Sequence, residues 1–261
     1  MDAQHRAELI RQFTLQAVPF GALAAHSNAL VLDLFVELGD ITPTDAVLDA
    51  GCGPGLLAAH LAPRTRHVTA TDVTPAMLAA GRARVAAAGL GNVTFQEADM
   101  LALPFPDGAF DRVCTRFTFH HVPEVPQAFA ELLRVTRPGG RIVVMDAAPA
   151  ALKRDAYDRT ETIRDPSHVR ALTAEELLSL GEAQGLGAAR ARRFGLSVDL
   201  EKQLAASFPE PGGAERLRAM FAADVGHDHL GFGVRVEGGG LTITYPILTL
   251  AWTPDANRQR P

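Results

Sequence analysis

Val47-Leu48-Asp49-Ala50-Gly51-Cys52-Gly53-Pro54-Gly55 is the stretch that decides the fold. Its first four residues read as a short buried strand, and the glycines that follow let backbone approach a ligand where a Cβ would collide with it. A second apolar run ends on Asp72. That residue lies about 20 positions on, where a strand-end carboxylate can accept both hydroxyls of a ribose. Together these features describe a nucleoside-bearing cofactor lying on a parallel sheet.

Spacing separates the two candidate cofactors. A dinucleotide fingerprint is G-x-G-x-x-G, whose third glycine packs helix on strand below a pyrophosphate. Here Gly51, Gly53 and Gly55 form G-x-G-x-G, and Leu56 stands where the dinucleotide pattern needs glycine. S-adenosylmethionine carries a zwitterionic amino-acid tail in place of phosphates. Its loop needs close backbone approach and a nearby anion for the ammonium and sulfonium charges, and Asp49 is placed to supply that anion.

The 261 residues suit one large α/β domain with insertions, and 47% hydrophobic with 21% charged residues fits a globular protein with a sizeable core. A net charge of −5 argues against a nucleic-acid footprint, which wants a basic patch. Arg190, Arg192 and Arg193 come nearest to one, and on a strand edge they read as a solvated face. Cys52 and Cys114 make neither a disulfide framework nor a zinc site, and no metal site is expected. There is no charged residue between Arg11 and Asp33, but Gln12, Gln16, Pro19, His26, Ser27 and Asn28 interrupt that run, so no membrane span is expected. With no signal-peptide pattern at the N-terminus, a cytoplasmic location is expected.

Residues 1–45 read as an N-terminal helical cap and 46–147 as the cofactor-binding core, with strands near 47–50, 68–72, 93–97, 110–115 and 141–146 alternating with helices. Thr74 before Pro75 reads as an N-cap with proline at the first helical position, and Gly89 closes that helix. Thr173 with Glu176 forms a capping box. Residues 148–172 leave the sheet at its ligand edge and return, a candidate lid carrying Tyr157, Asp165 and His168. Residues 173–254 complete the sheet, with a helical insertion at 199–224. The tail 255–261 is expected to fray.

Further motifs follow the glycine loop in order: Thr71-Asp72-Val73-Thr74-Pro75-Ala76-Met77-Leu78, Ala98-Asp99-Met100-Leu101-Ala102-Leu103-Pro104-Phe105, Phe110-Asp111-Arg112-Val113, His120-His121-Val122 and Leu133-Arg134-Val135-Thr136-Arg137-Pro138-Gly139-Gly140. With these the chain resembles the class I S-adenosylmethionine-dependent methyltransferases, in particular the small-molecule branch related to the ubiquinone and menaquinone biosynthesis C-methyltransferases, over residues 10–147. The resemblance implies a Rossmann-like α/β fold: a seven-stranded, mostly parallel sheet with helices on both faces and one antiparallel strand near the C-terminus. It implies S-adenosyl-L-methionine as cofactor. Gly51, Cys52 and Gly53 would line the methionine moiety, Asp72 would hold the ribose, and Val73 with Met77 would pack near the adenine. Asp99 would accept from the adenine amino group and Met100 would donate through its backbone. Thr115 would lie against the methionine end.

His120 and His121 follow the fourth strand, where an acceptor would approach the methyl group, and a histidine there can take a proton at neutral pH. The plainer reading is that one of them packs and holds the loop. His168 and Tyr157 in the candidate lid are weaker candidates for the same work. Cys52 reads as a small residue required by the loop rather than a nucleophile. His227, Asp228 and His229 are adjacent positions that point to different sides, so they read as a surface turn. Phe13, Phe20 and Leu23 suit helix core or pocket equally.

The expected activity is O-, C- or N-methylation of a small-molecule acceptor by in-line transfer. No Asp/Asn-Pro-Pro-Tyr follows the fourth strand and no Pro-Cys nucleophile is present, which with the acidic balance disfavours DNA and RNA. Two rivals share the fold: a protein that binds the cofactor without methylating, and a nicotinamide-dependent oxidoreductase.

Overall fold

The computed structural model describes residues 2–23 and 27–255, so most of the expected tail lies outside the described residues. Two helices precede the sheet, α1 (Ala3–Ala22) and α2 (Ala29–Gly39). Asp2 caps α1 by accepting from the His5 N–H at 2.8 Å, and Asn28 caps α2 in the same way through Leu30. The chain then alternates strand and helix through β1 (Ala46–Ala50), α3 (Leu56–Leu61), β2 (His67–Asp72), α4 (Pro75–Ala87), β3 (Val93–Glu97), β4 (Phe110–Arg116), α5 (Val125–Val135) and β5 (Thr136–Ala147). It continues through α6 (Arg154–Arg164), α7 (Ala174–Ala183), β6 (Arg190–Asp199), α8 (Leu200–Ala205), α9 (Gly213–Asp224), β7 (Arg235–Glu237) and β8 (Gly240–Trp252).

The sheet runs β3-β2-β1-β4-β5-β8-β6, with β7 paired to β8. Strands β1 to β5 pair in parallel, and β8 lies antiparallel to β5, β6 and β7. The strand count is therefore eight, not the expected seven. The extra strand is three exposed residues long, too short to show any apolar alternation, and it is held to β8 by the turn at Gly238 and Gly239.

Alternate residues of each central strand feed two cores. Val47, Val68, Cys114 and Val143 pack under α2 and α3, whereas Leu48, Val113, Ile142 and Val144 pack under α5 and α7. On α5 the buried set Val125, Ala128, Phe129, Leu132 and Leu133 follows helical spacing, so one face covers the sheet. Phe35 and Phe129 are fully buried on opposite sides, and truncating either to Ala would cost about 3–5 kcal/mol. The strand order reverses between β1 and β4. A crevice beyond the carboxyl ends of the strands therefore opens there, where the β1 glycines and the segment after β4 meet.

Arg190 and Arg192 sit on edge strand β6 and pair with Asp40 and Glu37. His227 and His229 are exposed, with rings stacked 5.4 Å apart, and Asp228 pairs with Lys153. Among the described residues no helix is long and apolar enough to cross a membrane.

Candidate functional site

The turn from β1 into α3 is built on left-handed backbone. Gly51 has φ 70°, and a Cβ there would stand 2.6 Å from the Thr118 side chain. Gly53 has φ 51° and faces space instead, with only the Met77 sulfur at 4.0 Å from its notional Cβ. The first glycine lets two loops touch, and the second leaves backbone bare toward the crevice.

Asp72 ties this turn to the next. Its Oδ2 accepts from the Gly53 N–H at 2.9 Å and its Oδ1 from the Thr74 N–H at 2.8 Å. Thr74 occupies the N-cap position of α4, but its own hydroxyl makes no capping bond and is buried without a partner. Burial raises the Asp72 pKa, and the Thr74 and Gly53 N–H groups oppose the rise.

Asp49 ends β1 fully buried, and its Oδ2 has no hydrogen-bond partner. Burial pushes its pKa up to about 7, against the pull of Arg116 and the Ala58 N–H and with a further push from Asp72. A buried carboxylate oxygen left unpaired at a glycine turn suits an ammonium or sulfonium ligand, so the residues present fit the methyl donor's charged end. Cys52 and Cys114 are buried, and burial pushes both thiols well above their ordinary range, which removes them as nucleophiles. Asp99 accepts from the Leu101 N–H at 2.9 Å and faces Arg6 of α1 at 3.4 Å.

Beyond β4 the chain makes a sharp corner. Phe117 takes φ 55°, unusual for a residue with a Cβ, and its N–H bonds to the Met145 carbonyl at 2.8 Å. A single 3₁₀ turn, Phe119–His121, follows. The His120 Nδ1 lies 2.5 Å from Asp146 Oδ1 at the end of β5, and Asp146 also accepts from the Phe119 and Ala147 N–H groups at 2.8 and 2.7 Å. Burial acts against the protonated ring, but the charge and hydrogen bond of Asp146 outweigh it, and the His120 pKa stands above its ordinary value. His121 Nδ1 lies 3.0 Å from the Ser167 carbonyl, and burial together with the charge of His120 holds its pKa well below the ordinary value. Asp146 and the Ser167 carbonyl are acceptors only, so in each neutral ring the proton sits on Nδ1 and Nε2 keeps its lone pair.

One cavity of about 1330 Å³, counting the part open to solvent, joins these groups. Its wall includes Asp49, Gly51, Cys52, Gly53, Asp72, Val73, Met77, Asp99, Met100, His120 and His121. Thr115 and His168 do not reach it. Thr115 is buried within the sheet with its hydroxyl unpaired, and His168 is held by Asp158 at 2.8 Å with its ring 5.6 Å from that of His120. Helix α1 covers the cavity with Leu9, Phe13, Gln16 and Phe20, while Leu23 is buried elsewhere. Segment 148–172 reaches the wall through Tyr157, Glu161, Arg164 and Asp165 of α6 and its C-terminal end.

Sequence reading passed over Arg116, Thr118, Asp146, Glu161 and Tyr245. Alternation along β4 could have flagged Arg116, since a charged residue at the end of a strand with two buried faces needs a reason. Asp146 ends the expected strand 141–146 and could have been picked out as the other strand-end acids were, whereas Glu161 and Tyr245 come from elements whose return to the crevice no local pattern announces.

The fold agrees with relatives of known sequence and structure. Residues 47–140 match the methyltransferase domain family. A demethylmenaquinone methyltransferase of Thermus thermophilus is 47% identical over 40% of this chain and 47% of that protein. The ubiquinone/menaquinone biosynthesis C-methyltransferase UbiE of Pseudomonas fluorescens is 38% identical over 47% of this chain and 50% of that one. The crystal structure of YcgJ from Bacillus subtilis, 22% identical, superposes with a TM-score of 0.78 over 86% of this chain and 98% of that chain, which establishes the shared fold. The chain spans about half the length of the two quinone-pathway relatives. Fold and family match thus point to one class, the methyltransferases, through residues 47–140, which match the methyltransferase domain family within the fold shared with YcgJ. Within that class the chain resembles the ubiquinone and menaquinone C-methyltransferases.

Proposed function

We propose that this protein transfers a methyl group from S-adenosylmethionine to a small-molecule acceptor. The observation that carries the reading is the single cavity that joins the glycine turn and the unpaired Asp49 oxygen to the imidazoles of His120 and His121. Asp72 takes the ribose, Val73 and Met77 flank the adenine, and Asp99 with Met100 reads its edge. Asp49 receives the ammonium of the tail. When bound, the cofactor supplies a methyl carbon already activated by its sulfonium, so the chain's task is alignment and exclusion of water.

Helix α1 provides that exclusion by laying Phe13 and Phe20 over the cavity. His120, oriented by Asp146, presents Nε2 as the base for an acceptor that arrives protonated, and His121 holds the acceptor by hydrogen bonding. The relatives named as demethylmenaquinone methyltransferase and ubiquinone/menaquinone biosynthesis C-methyltransferase support a small-molecule acceptor. Thr115 and His168 act behind the wall, on packing.

Incubation with methyl-labelled S-adenosylmethionine and a panel of phenols, quinols, amines and acids tests the proposal. Label in a small-molecule product, lost in H120A, is the expected result. Cofactor binding with no labelled product from any acceptor class would favour a protein that binds without methylating.

A further inference from the structure

Part of the cavity wall lies outside the cofactor cradle and is tied to the histidine side by a chain of hydrogen bonds. The Ser167 carbonyl holds His121, the Ser167 hydroxyl donates to Asp165 Oδ1 at 2.6 Å, and Asp165 Oδ2 accepts from Gln16 Nε2 of α1 at 2.8 Å. Three cavity-lining residues then converge on Ser207, just past α8. Gln16 Nε2 stands 3.3 Å from the Ser207 carbonyl, the Ser207 hydroxyl donates to the Gln203 carbonyl at 2.6 Å, and the same hydroxyl accepts from Arg164 Nη1 at 3.2 Å.

Gln16 is fully buried and Gln203 is 3% exposed, both line the cavity, and the side-chain oxygen of each has no hydrogen-bond partner. For Gln16 the amide orientation is fixed by chemistry. Its nitrogen faces a carboxylate and a carbonyl, which only accept, so the oxygen cannot take that place. A buried amide oxygen is costly unless a donor reaches it. The donors of Arg164 point elsewhere, Nε and Nη2 to Glu161 at 2.9 and 2.7 Å and Nη1 to Ser207. The Tyr245 hydroxyl also leans on Glu161, at 3.5 Å. Glu161 and Asp165 face the single guanidinium of Arg164, so an anion entering here meets a net negative wall.

We propose that this end of the cavity takes a hydroxyl or ammonium group of the methyl acceptor, remote from the methylated atom, on the amide oxygens of Gln16 and Gln203, and rejects acceptors with a carboxylate there. Recognition by two unpaired acceptors selects for a donor, and the acidic pair beside them selects against negative charge. The assignment rests on the methyl-transfer reading above.

Matched phenols that differ only at the end of the para side chain test it, with the full chain and methyl-labelled S-adenosylmethionine. Tyrosol ends in a hydroxyl, tyramine in an ammonium, para-propylphenol in a methyl and para-hydroxyphenylpropionate in a carboxylate. Wild-type kcat/KM is expected to be at least about tenfold higher for tyrosol or tyramine than for the other two, and the better of the pair tells hydroxyl from ammonium. Q203M should lose about tenfold on that phenol and leave para-propylphenol unchanged. Equal wild-type values for tyrosol, tyramine and para-propylphenol, or a preference for the propionate, would overturn the proposal without any variant having to fold. So would Q203M slowing all four in the same proportion, which marks a structural role. A ligand-free melt adds a test that needs no acceptor. Methionine fills the space of Gln203 without an unpaired oxygen, so Q203M should match or exceed the wild-type Tm, whereas a lower Tm would show the amide bonded within the fold and overturn the assignment. Label in none of the four phenols, with S-adenosylhomocysteine bound by wild type, would refute transfer to phenols, and the melt would still decide the assignment.

Discussion

Replacing Asp49 by Asn separates two demands placed on one carboxylate. The folded chain holds Asp49 at a pKa of about 7, against an ordinary value of 3.8, because burial disfavours its charge. A group whose folded pKa is raised contributes its full stability below the unfolded value and loses it as pH climbs through the folded one. The window therefore runs from about pH 4 to about pH 7. Above it the ionised carboxylate costs the ligand-free protein about 4 kcal/mol, taking 1.36 kcal/mol per pH unit across the interval from 3.8 to about 7. Burial sets most of this cost, Arg116 and the Ala58 N–H reduce it, and the charge of Asp72 adds to it. D49N removes the charge but places an amide N–H₂ where no acceptor waits, a penalty that does not vary with pH. The readout is accordingly the difference in Tm between variant and wild type as a function of pH, without ligand. It should move in favour of D49N by on the order of 10 °C between pH 4 and pH 8, at roughly 2–4 °C per kcal/mol for a protein of this size. At the same time D49N should bind S-adenosylhomocysteine more weakly. A difference in Tm that stays flat with pH would refute the reasoning that the site stores an uncompensated charge for its ligand.

The same titration makes cofactor affinity depend on pH. Only ionised Asp49 attracts the ammonium, so the wild-type Kd for S-adenosylhomocysteine should tighten about tenfold from pH 6 to pH 8, and calorimetry on D49N should show this dependence removed. Asp146 raises the His120 pKa, so D146N should shift the acid limb of the kcat profile to lower pH and reduce kcat by roughly 10²–10⁴-fold. An unmoved limb would deny His120 the role of base. Gly51→Ala forces a Cβ into Thr118 and strains a left-handed residue, a loss of about 1–3 kcal/mol visible in thermal melts. Shortening Thr118 to Ser at the same time should recover part of that loss.

Much of the architecture was legible because its signals are local. The run Val47 to Gly55 names a buried strand and a turn that requires positive φ, and Thr173 with Glu176 forms the capping box expected of them. The strand β7 escaped the count because three exposed residues carry no period. Asp49, Asp72 and Asp99 could be picked out because each ends a strand or follows one, and the parallel sheet collects strand ends at one edge. Thr115 shows where that logic thins: one residue along β4 reverses the direction of a side chain, and it is Arg116 that lines the cavity while Thr115 is buried in the sheet. Glu161 and Tyr245 depend on how α6 and β8 fold back onto the crevice, which is a property of tertiary packing, whereas Asp146 ends an expected parallel strand and was within reach of the same strand-end logic. The pairing of Gln16 with Asp165 at 2.8 Å, which fastens α1 over the cavity, joins residues 149 positions apart and has no local sequence signature.

A crystal structure with S-adenosylhomocysteine bound tests the central claim most directly. Density is expected along the glycine turn, with the ribose on Asp72, the adenine between Met77 and Asp99, the ammonium on Asp49 and the sulfur facing the side of the cavity lined by His120 and His121. Density for the ligand elsewhere, or none in this cavity at saturating ligand, contradicts it.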